Sequence, residues 1–315
     1  MKLVMKRSET VKIIRLGSRE SKLAVAQANI AAALIKEHNK DILIELHKVR
    51  TKGDKLINQN LALVGGKGLF IKELEVMLYE NKIDAAVHSL KDLPHEYDVD
   101  SDNILCLPRE DARDVLIMKD SFEINEKNAK KALNMLPKNA VIGTSSLRRS
   151  YQLKSMREDI IINPIRGNID TRLKKLYDGS YDAIILAKAG LNRLNLKESK
   201  YNSLFEIDDM IPAPGQGVIA VQTMTTNHNI TAVSDLDTSD CALIEKLFAK
   251  ALKSDCVTPV GAYAYKIKDK FILTTYYYDE KKRIEHRKKF MMDDKTDAVN
   301  KINDYVNSLR LEENE

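Results

Sequence analysis

The sequence predicts an α/β protein of two lobes followed by a small α+β C-terminal domain. Three observations carry this expectation. The chain has 315 residues, more than one ordinary hydrophobic core supports. Short apolar strands run repeatedly into Gly, Ser or Arg and then into a helical pattern, the rhythm of α/β units. Two breaks divide the series: a charge-dense crossing, Arg109-Glu-Asp-Ala-Arg-Asp114, and a Pro/Gly segment, Ile211-Pro-Ala-Pro-Gly-Gln-Gly217.

Residues 1–12 read as a loose extension. Ile13-Ile-Arg-Leu16 is a strand running into Gly17-Ser-Arg-Glu-Ser21, and a helix to about residue 39 follows, with Leu23, Ala26, Ile30 and Leu34 at helical spacing. A strand, then small residues, then a helix makes an anion site, because the first N–H groups of a helix lack partners. A cap by Ser18 is compatible with this and leaves Arg19 unexplained. Ile42 to Val49 is the next strand and Thr51-Lys-Gly-Asp54 a turn. Val64-Gly-Gly-Lys-Gly68 is not a P-loop: Gly68 stands where Ser or Thr belongs, and Leu61 stands where the first glycine belongs. It reads as a hinge or lid carrying Lys67, ahead of a helix over 71–81 with Leu74, Met77 and Leu78 on its apolar face.

The stretch from Asp84 to Pro94 is the centre of the chain. Ala85-Ala-Val87 reads as a buried strand end, and Pro94 stops it. His88, Ser89, Lys91 and Asp92 fall between, just past a strand's carboxyl end, where open α/β sheets place ligands. A single loop of this kind is better read as a solvated turn with an incidental ion pair. The repeats that follow change the balance. Ile104–Leu107 and Val115–Met118 are strands, and residues 119–138 a polar surface excursion. Ala140 to Arg149 again runs from a strand through Gly143 and small hydroxyls into a helix, now with Arg148 and Arg149 on its first turn. Ile160 to Pro164 leads to Arg166-Gly-Asn and Arg172, and the apolar run 181–187 leads to Arg193. Several arginines at strand-end junctions imply a polyanionic ligand, since like charges held together repel unless one is bound.

Val218-Ile-Ala-Val221 is a strand that fits a return into the first lobe, leaving a cleft between the two. Ser239 then caps a helix over 240–254 with Leu243, Ile244, Leu247, Phe248, Ala251 and Leu252 on one face. Cys256 falls in a loop, residues 263–267 and 271–278 are strands, and a last helix covers 295–309.

Composition excludes several classes. Net charge is +5, with basic residues scattered among acidic ones and aromatics at 6%, which does not suit a nucleic-acid stripe. No apolar run reaches membrane-spanning length. The basic N-terminus lacks the apolar core of a signal peptide, so a cytoplasmic location is expected. Three cysteines without CxxC spacing, and histidines without HExxH, argue against disulfides and zinc, so no metal site is expected. Cys106 and Cys241 read as core residues.

In this arrangement the chain resembles the porphobilinogen deaminase (hydroxymethylbilane synthase) family. The matching blocks are Leu16-Gly-Ser-Arg-Glu-Ser-Lys-Leu-Ala24 with Gln27, Val64-Gly-Gly-Lys-Gly-Leu-Phe70, Ala86-Val-His-Ser-Leu-Lys-Asp-Leu-Pro94, Gly143-Thr-Ser-Ser-Leu-Arg-Arg149, Arg166-Gly-Asn with Thr171-Arg-Leu173, Asp182-Ala-Ile-Ile-Leu-Ala187, Pro212-Ala-Pro-Gly-Gln-Gly217, and Cys256 with Pro259 and Gly261. They come in family order over nearly the whole chain, and together they are specific. The resemblance implies two periplasmic-binding-protein-like lobes with mixed sheets: residues 1–110 with 213–233, and residues 111–212. A third domain, 234–315, carries the cofactor cysteine.

The resemblance also implies the chemistry. Four porphobilinogen units are joined head to tail with loss of ammonia, on a dipyrromethane cofactor held to Cys256 by a thioether, and hydroxymethylbilane is released. Asp92 is the implied catalytic carboxylate, facing the cation that forms as ammonia leaves. Lys91, Ser89, Thr144, Ser146, Arg148 and Arg149, with Asp92, are the implied cofactor-binding residues. Arg19, Ser21, Gln27, Arg166, Arg172, Phe70 and Lys67 are the implied substrate-binding residues; core packing is nearly as good a reading of Phe70. The expected partner is the small molecule porphobilinogen, with no nucleic acid or membrane, and the expected state a monomer. Ala112, Gln222 and Lys253-Ser-Asp255 depart from the family pattern in loop stiffness and local charge. The main rival is a two-lobed binding protein for an anionic solute, which needs neither Asp92 nor Cys256. A nucleic-acid-binding or transcription factor built on such lobes would need a helix-turn-helix or a basic stripe, and the sequence shows neither.

Overall fold

A computed structural model describes residues 12–50, 71–95, 103–196, 203–224, 228–254 and 258–311. The described strands form two mixed sheets and one antiparallel sheet. The first sheet contains β1 (Lys12–Arg19), β2 (Ile42–Val49), β3 (Ala85–Ser89), β4 (Ile104–Cys106) and β9 (Ile219–Gln222) in the order β2-β1-β3-β9-β4. Strands β1, β2 and β3 run parallel. Strand β9 returns from far along the chain and inserts between β3 and β4, antiparallel to both. The second sheet contains β5 (Asp114–Met118), β6 (Val141–Gly143), β7 (Ile161–Asn163) and β8 (Ala183–Ala187) in the order β5-β8-β6-β7. Its central runs are apolar because both faces are covered.

Two helices flank the first sheet, α1 (Lys22–His38) and α2 (Lys72–Tyr79). Helix α1 buries Ala24, Gln27, Ala28, Ala31 and Ile35, not the stripe expected from its larger apolar residues. Alanines let the helix lie close on the sheet, so Leu23 and Leu34 flank the contact and Ile30 is exposed. Its cap is Ser21, whose Oγ accepts from Ala24 N–H, rather than Ser18. The reason is non-local: β1 continues in register with β2 as far as Arg19 and Val49, which keeps Ser18 inside the strand.

In the second sheet's layer lie α3 (Ala129–Met135), α4 (Leu147–Met156), α5 (Ile169–Tyr177) and α6 (Lys188–Arg193). Helix α3 belongs to what was expected to be a surface excursion. Its Ala129, Ala132 and Leu133 are instead part of the core.

A single turn, α7 (His228–Thr231), precedes α8 (Leu236–Ala251). Asp235, not Ser239, caps α8, accepting from Thr238 N–H at 2.7 Å, while the Ser239 hydroxyl bonds back to Asp235 O. Helix α8 and α9 (Lys295–Leu311) cover the third sheet, β10 (Val260–Ile267), β11 (Lys270–Asp279) and β12 (Ile284–Met292), order β10-β11-β12. Strand β12 was not expected from the sequence.

The Pro/Gly segment between the lobes needs its glycines. Gly217 has φ +88°, and a Cβ there would sit 2.3 Å from Glu110 O. The same carbonyl-lined junction takes Glu110 N–H and Arg193 Nη2 onto Gly217 O at 3.0 and 2.7 Å.

Candidate active site

The first lobe's part of the site sits where β1 and β3 end. Strand β1 delivers Arg19, α1 delivers Ser21 and Gln27, and β3 delivers Ser89. The chain then makes a 3₁₀ turn, Leu90–Asp92. Arg19, Ser21, Gln27, His88, Ser89 and Asp92 line one pocket. Gln27 Nε2 donates to Ser89 Oγ at 2.7 Å, which fixes the strand end against the helix. Leu90 N–H donates to Val218 O, and the buried Lys246 of α8 donates to Leu93 O and Pro94 O at 3.2 and 2.8 Å. The turn that carries Lys91 and Asp92 is thus held at its entry by the hinge and at its exit by α8.

Ser18 plays a different part from the one expected of it. It is buried, its hydroxyl donates to Arg19 O at 3.0 Å, and it stands three residues before the helix cap, Ser21. His88, which the sequence places at the same strand end without giving it a role, also lines the pocket. Burial, and then the nearby Arg19 charge, push its pKa down to about 4, against the opposing pull of Gln222. The imidazole lies against the Gln222 side chain, yet His88 Nε2 and Gln222 Oε1 both stay buried without a well-formed hydrogen bond.

The second lobe's part sits at the ends of β6 and β7. Thr144 is buried, and its Oγ1 accepts from Ser146 N–H at 3.2 Å. Ser146 caps α4 by accepting from Arg149 N–H. The Ser145 hydroxyl donates to Ile165 O at 2.8 Å. Arg148 and Arg149 follow on the first turn of α4, and both are buried.

Their guanidiniums do not simply point into open space. Arg148 Nη2 and Arg149 Nη2 donate to the two oxygens of Asp114, at 2.9 and 2.7 Å. Their Nη1 atoms donate to Ile211 O and Ile185 O, at 2.7 and 3.2 Å. Arg149 Nε is buried with no partner among the described residues. Asp114 is fully buried, and despite the cost of burial its two arginines and Gln216 hold its carboxyl well below the usual range. The sequence passed over Asp114 as one member of a charged crossing. The available signal was its position at the head of the apolar run Val115–Met118, where a buried carboxylate demands buried cations.

The two halves meet. Arg172, on α5, donates from Nε to Gly167 O at 2.8 Å. Burial and the Arg149 charge push its pKa down to about 10, and Asp92 from the first lobe opposes them. Lys91 is pushed down to about 8, by burial first and then by Arg149 and Arg148, against Asp92 and Asp114. Arg148, Arg149, Arg172 and Lys91 therefore share one region with Asp92 and Asp114, four cations against two carboxylates among the described residues. Such an excess calls for an anionic ligand with more than one carboxylate. Arg166 is half-buried at the start of the same loop, and its carbonyl accepts from Lys175 Nζ at 3.2 Å. Lys22 Nζ and Asp170 Oδ2, 2.6 Å apart, join the lobes at the rim.

Cys256, Phe70 and Lys67 lie outside the described residues. The strand that follows the cysteine segment is tied to the hinge, with Ala262 N–H donating to Pro212 O at 2.9 Å.

Residues 14–232 match the family described as porphobilinogen deaminase, dipyromethane cofactor binding domain. Curated relatives agree. The porphobilinogen deaminase of Alkaliphilus metalliredigens is 42% identical over 257 residues, 80% of this chain and 78% of its own. That of Acetivibrio thermocellus is 42% identical over 273 residues, 86% of this chain and 89% of its own. That of Rickettsia typhi is 42% identical over 269 residues, 82% and 87% respectively.

Proposed function

The chain belongs to the porphobilinogen deaminase family, and from that premise we propose that it is a hydroxymethylbilane synthase of tetrapyrrole biosynthesis. It joins four porphobilinogen molecules head to tail with loss of four ammonia molecules, on a covalently held dipyrromethane primer, and water cleaves the product from the primer as hydroxymethylbilane. The observation that carries this reading is the convergence of Lys91 and Asp92 from one lobe with Arg149 and Arg172 from the other.

The residues fit the primer. A dipyrromethane made from porphobilinogen carries two acetates and two propionates, and the described residues offer a surplus of cations there and a buried Arg149 Nε that has no partner among them. Lys91, Ser89, Arg149 and Arg148, with Thr144 and Ser146 shaping the turn beneath them, would hold its carboxylates. Cys256 would be the point of attachment. When bound, the dipyrromethane supplies the electron-rich pyrrole end that accepts each new unit.

The chain's own groups supply the rest. Arg19, Ser21 and Gln27, with Arg166 and Arg172, would hold the acetate and propionate of incoming porphobilinogen, and Lys67 and Phe70 would close on it. Asp92 is exposed to the cleft, so its carboxylate can face the positive charge that develops as ammonia leaves and accept a hydrogen bond from the pyrrole N–H. His88, held neutral, adds no second positive charge beside that centre.

The same reading divides the chain into residues 1–110 with 213–233, residues 111–212, and residues 234–315. The first two hold the mixed sheets and the third the antiparallel sheet. It also takes the protein as a cytoplasmic monomer with no nucleic-acid or membrane partner. No helix among the described residues is long and apolar enough to cross a membrane.

Intact-protein mass spectrometry of wild type and Cys256→Ser, both expressed with porphobilinogen available, tests the proposal. An adduct of two linked porphobilinogen units on wild type, absent from the variant, is the expected result. Folded wild type without an adduct, even after porphobilinogen or hydroxymethylbilane is supplied, would sink it.

A further inference from the structure

Gln216 sits in the Pro/Gly segment between the lobes and is 1% exposed. Its backbone N–H donates to Ala213 O at 2.9 Å, and the glycines on either side have positive φ, so the side chain hangs from a turn of one conformation. The amide has two hydrogens, and both are committed toward the second lobe. Nε2 donates to Ala112 O at 2.7 Å and to Asp114 Oδ1 at 2.9 Å. Those two bonds decide which way the oxygen faces. A flipped amide would set its oxygen against a carbonyl and a carboxylate, acceptor against acceptor.

The oxygen faces Lys91 of the first lobe, with Nζ at 3.4 Å, the long end of hydrogen-bonding range. The charged groups around that ammonium are Asp92 on its own turn, and Arg148, Arg149 and Asp114 from the second lobe. An ammonium beside two guanidiniums is repelled toward solvent. An acceptor fixed from behind opposes that movement without adding a charge. A carboxylate in its place would consume the positive surplus that a carboxylated ligand needs.

We propose that Gln216 is a positioning residue: its amide, anchored on Asp114 and the Ala112 carbonyl, holds the Lys91 ammonium beside the Arg148–Arg149 pair. One hinge side chain thereby sets the spacing between cations contributed by two lobes, without touching ligand itself. The inference rests on reading the cleft as the site of a carboxylated dipyrrole, but its test does not depend on turnover.

The test is competitive labelling with trace acetic anhydride across pH 6–11, reading Lys91 acetylation by peptide mass spectrometry. It uses the full-length chain made in cells that supply no porphobilinogen. Wild-type Lys91, pushed down by burial and the nearby arginines, is expected to titrate near 8. Gln216→Glu sets one carboxylate oxygen opposite the ammonium and the other against Asp114; held ionised at these pH values by Lys91 and the two arginines, it raises the midpoint by about one pH unit or more. Gln216→Met keeps the length, removes the acceptor and lowers the midpoint. Opposite movements support the proposal. No movement in either variant, or a rise in both, overturns it, the rise meaning that Lys91 has swung into water unheld. If a variant melts below the labelling temperature, Gln216→Asn replaces it. That change withdraws the amide by one methylene and lowers the midpoint as the methionine does; an unchanged midpoint again overturns the idea. A missing adduct on wild type, by contrast, would remove the functional reading and leave this result standing.

Discussion

Glu245 on α8 accepts a 2.7 Å hydrogen bond from Arg109 Nη1 at the crossing between the two mixed sheets, and the carboxylate is fully buried. Its two oxygens also accept the Gly215 and Ala264 N–H groups, each at 2.7 Å. One side chain therefore joins the crossing, the hinge and the third sheet. Arg109 also lies over the Tyr263 ring, 5.3 Å from its centre.

Removing that carboxylate strands a buried guanidinium and two backbone donors. Glu245→Ala is expected to lose about 3–5 kcal/mol of stability, the usual cost of breaking a buried pair from one side. Urea titration measures it. The double variant Arg109→Met with Glu245→Met should recover part of the loss, because no lone charge then remains. A single variant as stable as wild type would mean that the pair carries no part of the joint.

Asp92 lies on an exposed face of its turn, so its replacement should leave the fold intact. Asp92→Asn is expected to load the primer and melt as wild type does, while turnover per loaded molecule falls at least about 100-fold. Near-normal initial rates of hydroxymethylbilane formation would take Asp92 out of the reaction.

Arg149 offers a different separation. Asp114 keeps Arg148 and Gln216 when Arg149 is lost, so Arg149→Leu should cost only about 1.5–3 kcal/mol of stability. The buried Nε leaves with it. Primer assembly on Cys256, read by intact mass, is expected to slow at least about tenfold, the loss of one charge-assisted contact. Unchanged loading would refute a carboxylate-binding role.

His88 makes stability depend on pH in a defined window. Its pKa is about 4 in the fold against an ordinary 6.5, so folding favours the neutral ring. That contribution is complete above about 6.5 and disappears as pH falls through 4. The unfolded chain binds the proton first, and the full effect is about 3 kcal/mol. Melting curves of wild type should fall across this range, and His88→Gln should flatten the fall. Parallel curves for the two proteins would place the buried titrating group elsewhere.

The local parts of the molecule were written in the chain itself. The strand ends at Lys12–Arg19 and Ala85–Ser89 are short apolar runs that lead into small polar residues, and the pocket residues Arg19, Ser21, Gln27, Ser89 and Asp92 follow from those two runs by neighbourhood in sequence. What stayed hidden depends on partners far away. Ser18 and Ser21 are equal as caps until β2 extends β1 past the first of them. Strand β12 has no apolar alternation, because it is an edge strand that gains backbone hydrogen bonds from β11 and buries only Met292. Asp114 meets Arg148 34 positions away and Gln216 102 positions away, and no periodicity records such a meeting. Apolar spacing and turn chemistry act over a few residues, so the sequence carries them openly. The neutralisation of buried charge is a long-range demand, and only the folded chain shows which groups answer it.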